Sequence, residues 1–329
     1  MHKVWLLSIF LWMANVVAIG VRSNKFRLWF PYFDYHWRQV AREQCATEID
    51  DFHGNNKDRF RAPCAAALDC ILENSSESIK SNLANSQVVL GLTPTILSFV
   101  GSDIAELAVL STHHPLLAIL LSLGAPALQI RHIFTPLEVA KIVNKTPSKF
   151  VRLYDGWLTS QYRAVRRLFD VGLRVLAIGA IANNIATSLY LDSRAVVGFR
   201  CGSVFMPLAW GLLGVFPAIF ALLAVYQQYR LPTLTFRQSG KDARAKRSRV
   251  LTKETYEAPR RWISEALFSA AALAALLQLV YGTSILSAMT PISYFDALPV
   301  VARYAASNIV CRSLLLVELD RVRIKLRGP

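Results

Sequence analysis

The sequence predicts an all-α fold: a polytopic transmembrane helix bundle of about five crossings after a signal peptide, with a small N-terminal lumenal segment. Three observations predict it. Of 329 residues, 53% are hydrophobic and only 18% are charged, and the apolar residues fall in blocks near the ~20 residues that span a bilayer. The block VVLGLTPTILSFVGSDIAELAVLSTHHPLLAILLSLGAPALQI (88–130) is too long and too apolar for a soluble core, yet Pro94, Gly101, Pro115, Gly124 and Pro126 punctuate it. The net charge of +15 sits in connectors: residues 131–168 hold eight basic and two acidic residues, and 227–263 hold ten and three. Basic connectors between apolar blocks mark cytosolic loops. Nucleic-acid binding is the other reading of a basic chain, and this placement speaks against it.

Residues 1–20, MHKVWLLSIFLWMANVVAIG, have a short polar start, an apolar core and the small residues Ala18 and Gly20. That order suits a cleaved signal peptide; an uncleaved signal anchor is the alternative. Both deliver residues 21–86 to the secretory lumen. This segment is electrically neutral, with nine basic and nine acidic residues. Its opening, FRLWFPYFDYHW (26–37), suits either the membrane interface or a small hydrophobic core.

Cys45, Cys64 and Cys70 follow. Cysteines pair in an oxidising lumen, and three require a partner elsewhere, which Cys201 can supply. Cys64 and Cys70 point apart on one continuous helix, so they do not bridge each other. The sequence leaves the pairing open. Asn74-Ser75-Ser76 is a glycosylation sequon, meaningful on the lumenal side.

Residues 87–130 form an interrupted membrane element. Two full crossings there would place the basic connector 131–168 in the lumen, so one net crossing with a re-entrant or half-length partner is expected, broken near 101–115. In 131–168, an apolar stripe through Phe150, Tyr154, Leu158, Tyr162, Val165 and Phe169 predicts an amphipathic helix, on the cytosolic leaflet or packed on neighbours. Asn144-Lys145-Thr146 is a second sequon and is expected to face the cytosol.

Residues 169–226 predict two crossings: one carrying Asn183 and Asn184, and one beginning at Cys201 and kinked by Pro207 and Pro217. The connector 227–263, with KDARAKRSR at 241–249, is cytosolic and near anionic lipid. Residues 264–318 predict two more crossings. In the first, Ala266, Ala270, Ala274, Gln278 and Gly282 offer a small-residue face to another helix. The second is interrupted by Arg303 and Arg312, and Cys311 within it reads as a free core thiol. The tail 319–329, with Arg321, Arg323, Lys325 and Arg327, is basic and cytosolic.

Asp103, Glu106, His113 and His114 are the candidate polar cluster of the membrane element. Ionisable groups at membrane depth often mark ion or proton paths. The competing reading is an exposed turn whose charges are solvated and idle. Two adjacent histidines and two carboxylates are too loose for a metal site. No HExxH, paired CxxC, GxSxG, P-loop or Rossmann glycine pattern is present, so neither catalysis nor a cofactor is expected.

The run CILENSSESIKSNLANSQVVLGLTPTILSFVGSDIAELAVLSTHHPLLAILLSLGAPAL (70–128) and the weaker block VVARYAASNIVCRSLLLVEL (300–319) resemble a family of multi-pass membrane proteins from filamentous fungi. The resemblance implies a fungal integral membrane protein and carries over no activity, substrate or functional residue. The expectation is a non-enzymatic membrane protein with a structural, sensing or partner-binding role, in the plasma membrane or the endomembranes of the secretory pathway. Its partners would be the lipid bilayer and an unidentified protein. A small-solute or ion transporter using the break at 101–115 is the alternative.

Overall fold

A computed structural model describes residues 20–21, 24–54, 62–129, 142, 163–229 and 258–327. The signal segment before Gly20, the amphipathic stripe from Phe150 to Tyr162, the sequon at Asn144 and the basic run 241–249 lie outside the described residues.

The chain is an all-α polytopic bundle with two minimal two-stranded pairings. In order, the helices are α1 (Asp34–Glu43), α2 (Ala46–His53), α3 (Ala62–Glu73), α4 (Glu77–Val100), α5 (Ile104–Ser111), α6 (Pro115–Gly124), α7 (Arg163–Arg194), α8 (Met206–Leu213), α9 (Val215–Tyr229), α10 (Ala258–Ser287) and α11 (Tyr294–Arg327). Strands β1 (Ser102–Asp103) and β2 (Leu128–Gln129) pair in parallel. Strands β3 (Val196–Val197) and β4 (Met289–Thr290) pair antiparallel.

Among the described residues, five spans are long and apolar enough to cross a membrane: Glu77–Val100, Arg167–Arg194, Met206–Gln227, Trp262–Ser287 and Tyr294–Ile324. Between 22% and 39% of each span's apolar window is buried by protein, so most of it needs another apolar environment. Val88, Leu92, Phe99, Val175, Leu273, Leu277 and Ile309 are among the large side chains left exposed. Apolar surface on this scale fits lipid as the surrounding solvent.

The chain divides into two compact units. The first holds residues 1–96, 183–211 and 280–305. Its core gathers Phe26, Trp29, Trp37, Phe52, Ile71 and Leu83 around the two cystines, with Val196 from a distant loop. The aromatic run thus supplies a hydrophobic core: Phe26, Trp29, Phe30 and Trp37 are buried, whereas Tyr32 and Tyr35 are 53% and 82% exposed.

The second unit holds 97–182, 212–279 and 306–329. Its core packs α5 and α6 against Leu173 and Ala177 of α7, Ala221 and Val225 of α9, Phe268 and Ala271 of α10, and Leu314 and Leu315 of α11.

Three local readings are corrected. The crossing expected from Cys201 starts at Met206 and is two helices, α8 and α9, divided at Gly214. Pro217, whose missing N–H falls opposite the Leu213 carbonyl four residues earlier, interrupts this span at Gly214 as expected, whereas Pro207 lies in its first turn and breaks nothing. On α10 the buried face is Ser264, Phe268, Ala271, Ala275, Gln278 and Gly282, while Ala266 is exposed. A row spaced by four drifts about 40° per step around a helix, so it cannot stay on one face. Lastly, α11 runs on to Arg327 and takes in most of the basic tail 319–329, with Arg321 and Arg323 buried.

Candidate functional site

The break in the membrane element is built from backbone. After Val100 the chain leaves the helix, and a Cβ on Gly101 would stand 2.5 Å from the carbonyl oxygen of Ala127. Only glycine allows that approach. Ser102 then pairs with Leu128, and Asp103 with Gln129. Asp103 caps α5 by accepting from the Ala105 N–H at 3.0 Å.

Helices α5 and α6, of 8 and 10 residues, form a hairpin whose turn is Thr112, His113 and His114. At ~1.5 Å per residue neither is long enough to cross a bilayer. Both are short and follow the long span Glu77–Val100. There are two breaks, before α5 and between α5 and α6, where one was expected.

Carbonyls freed at the breaks find amide donors. Asn308 Nδ2 donates to Leu97 O at 2.6 Å, Gln278 Nε2 to Pro126 O at 3.0 Å, and Gln129 Nε2 to Phe99 O at 3.2 Å. This is how irregular backbone survives away from water.

The ionisable residues separate by role. Glu106, 6% exposed, meets Arg312 Nη1 at 2.5 Å and Arg323 Nη2 at 3.9 Å. Arg323 also donates to Asp320 at 2.6 Å and to Ile142 O at 2.9 Å. Arg321 pairs with Asp170 at 2.8 Å and with Glu318. Thus Glu106 is not solvated: arginines of α11 hold it. His113 is exposed at the hairpin turn, and His114 Nε2 stands 4.0 Å from Glu318 Oε2. A cleft of about 210 Å³ opens there, lined by His113, His114, Asp170, Arg174 and Glu318. The four candidate residues therefore do not converge on one point. Among the described residues no group of His, Cys, Asp and Glu could hold a metal ion.

Sequence reasoning passed over a second site, in the N-terminal head formed by residues 24–54 and 62–75. Cys45 joins Cys70 and Cys64 joins Cys201, with Cα separations of 5.9 and 5.7 Å. Cys64 and Cys70 share α3 and bond elsewhere; Cys311 is a buried free thiol. The sequon residue Asn74 is exposed just after α3, and its Nδ2 donates to Cys70 O at 2.9 Å.

On the head a cleft of about 370 Å³ is walled by Arg38 and Arg42 of α1, Ile49 and Asp50 of α2, and the segment through Phe26, Arg27 and Trp29. That segment is pinned by Lys25, which is 1% exposed and meets Asp192 at 3.4 Å and the Ser203 carbonyl at 2.6 Å. The available signal was the spacing of Arg38 and Arg42, which shares one helix face.

No family model matches the chain, and neither a curated protein nor a solved structure matches it.

Proposed function

We propose that this chain is a non-enzymatic integral membrane protein of the secretory pathway that presents its cystine-stapled head, on the lumenal or extracellular side, as a binding surface. One contrast carries the reading. Glu106, Asp170, Glu318 and Asp320 in the second unit all have arginine partners, whereas Arg27 and Arg42 beside the head cleft have no ion-pair partner among the described residues. A transport path needs polar groups that exchange their partners for solute. The arginine pairs instead make the hairpin α5–α6 a fixed packing element.

Two observations support this orientation. Cystines belong to oxidising compartments. The basic connectors 131–168 and 227–263 belong on the cytosolic side. Removal of the signal near Gly20 and glycosylation at Asn74 are part of this proposal.

Transport is the second reading, favoured by the open cleft beside His114 and Glu318. Proteoliposomes carrying a pH-sensitive dye separate the two. Under imposed proton and ion gradients the binding reading expects no protein-dependent flux, and Glu106→Gln should only lower the melting temperature. A protein-dependent flux that Glu106→Gln abolishes, with the size-exclusion profile unchanged, would replace binding by transport.

A further inference from the structure

The head cleft has a defined chemistry. Its volume of about 370 Å³ falls in the range of small-ligand sites, ~300–1,000 Å³. Its apolar wall is Phe26, Trp29 and Ile49, each less than a tenth exposed. Its charged lining is Arg27, Arg38, Arg42 and Asp50.

Arg38 Nε is held by Asp34 at 2.8 Å, which leaves its terminal nitrogens without a partner among the described residues. Counting Asp34 with the lining, three arginines against two aspartates leave one positive charge. Guanidinium groups suit carboxylate and phosphate geometry through paired N–H donors.

The wall is also strained. Phe26 has φ of 62°, a conformation a bulky side chain avoids. It is held there by edge contacts with Trp29 and Phe52 at centroid distances of 6.1 and 5.2 Å, and by the buried ion pair of Lys25. Strain of this kind persists where the surroundings enforce it, and it clusters at ligand sites.

Resting on the binding reading above, we infer that this cleft takes a monoanionic ligand: a single carboxylate or phosphodiester held by Arg27 and Arg42, joined to an apolar body lying on Phe26, Trp29 and Ile49. Asp50 repels a second negative charge and accepts from a hydroxyl or amine. A soluble ligand and a phospholipid headgroup share this chemistry.

The test uses the full chain in dodecyl maltoside micelles, which carry no phosphate or carboxylate. Phenylacetate and methyl phenyl phosphate are titrated by calorimetry, with 2-phenylethanol as the uncharged control. At least one anion should bind saturably, and more tightly than the alcohol. Arg27→Gln/Arg42→Gln should weaken it by about tenfold or more, the scale of a lost charge-assisted hydrogen bond. Arg27→Lys/Arg42→Lys, which keeps the charge but not the paired donors, should fall between.

Failure of both anions to bind, or equal affinity in the glutamine variant, overturns the inference. A glutamine variant that does not fold leaves the lysine variant and the alcohol control to decide. Adding phosphatidylserine to the micelles identifies the source. Loss of probe binding beyond the change seen in the lysine variant points to a headgroup, and no such loss points to a soluble ligand. Protein-dependent flux would defeat the binding reading itself, whereas absent anion binding defeats only this inference.

Discussion

Lys25 and Asp192 are 167 positions apart, yet Nζ lies 3.4 Å from Oδ1, with side chains 0% and 1% exposed. The other oxygen of Asp192 accepts from the Phe205 N–H at 2.6 Å. Phe26 and Phe205 are the non-glycine residues with positive φ among those described; Phe26 follows the Lys25 partner and Phe205 is itself a partner of this carboxylate. One buried acid therefore fixes two strained turns.

Removing one member leaves the other charge buried and uncompensated. Lys25→Met should cost about 3–5 kcal/mol. Lys25→Met/Asp192→Leu removes both charges and should recover part of that loss, with the Phe205 N–H still unsatisfied. Thermal unfolding in one detergent measures both variants. Equal stability of Lys25→Met and wild type would show that the pair does not hold the segment.

The cystines make a sharper prediction. Peptide mapping without reduction should recover Cys45 linked to Cys70 and Cys64 linked to Cys201. The second bridge closes a separation of 137 residues, and its loss should cost about 2–5 kcal/mol. Cys64→Ser/Cys201→Ser should melt earlier than wild type. Cys311, buried in the second unit, should react with maleimide only after unfolding. A Cys45–Cys64 peptide would contradict the geometry of the head.

Much of the fold is legible in the sequence because lipid leaves a strong mark. Runs of apolar residues reveal the spans, and Gly101 and Pro115 reveal that one element is broken. The partners of the break are not legible. Glu106 meets Arg312 across 206 positions, and Leu97 meets Asn308 across 211, and no local pattern encodes such distances. Part of the charge cluster could have been seen. Glu318 with Arg321 and Asp320 with Arg323 are three apart, the spacing of helix ion pairs, which extends the last helix into the basic tail. The head cleft was obscured for a different reason. The aromatic run shows its density but not which rings turn inward, and the arginines read as ordinary surface charge.

The amide donors at the break are a third point to test. Asn308→Leu removes the donor to Leu97 O in a buried setting and should cost about 1–3 kcal/mol. Gln278→Leu should do the same through Pro126 O. Asn308→Asp should be no milder, since a carboxylate facing a carbonyl is repelled. Ser313→Ala, on the same helix but exposed and bonded only to Ile309 O, serves as the neutral control. If Asn308→Leu melts with the control, the break does not depend on side-chain amides.

Orientation is settled by the two sequons. Asn74 is exposed after α3, and its amide must give up the bond to Cys70 O and its contacts with the Cys45 and Cys70 sulfurs before it can be modified. With the head in the lumen, Asn74 should carry a glycan that an endoglycosidase removes, and Asn74→Gln should abolish that shift. Asn144 lies in a basic connector, so Asn144→Gln should leave the electrophoretic pattern unchanged. The reverse pattern would place the cystines in a reducing compartment and the arginine-rich cleft in the cytosol. Both the charge rule and the cystines would then be violated, because 131–168 would also face the lumen with its eight basic residues. The expected pattern satisfies both with one orientation.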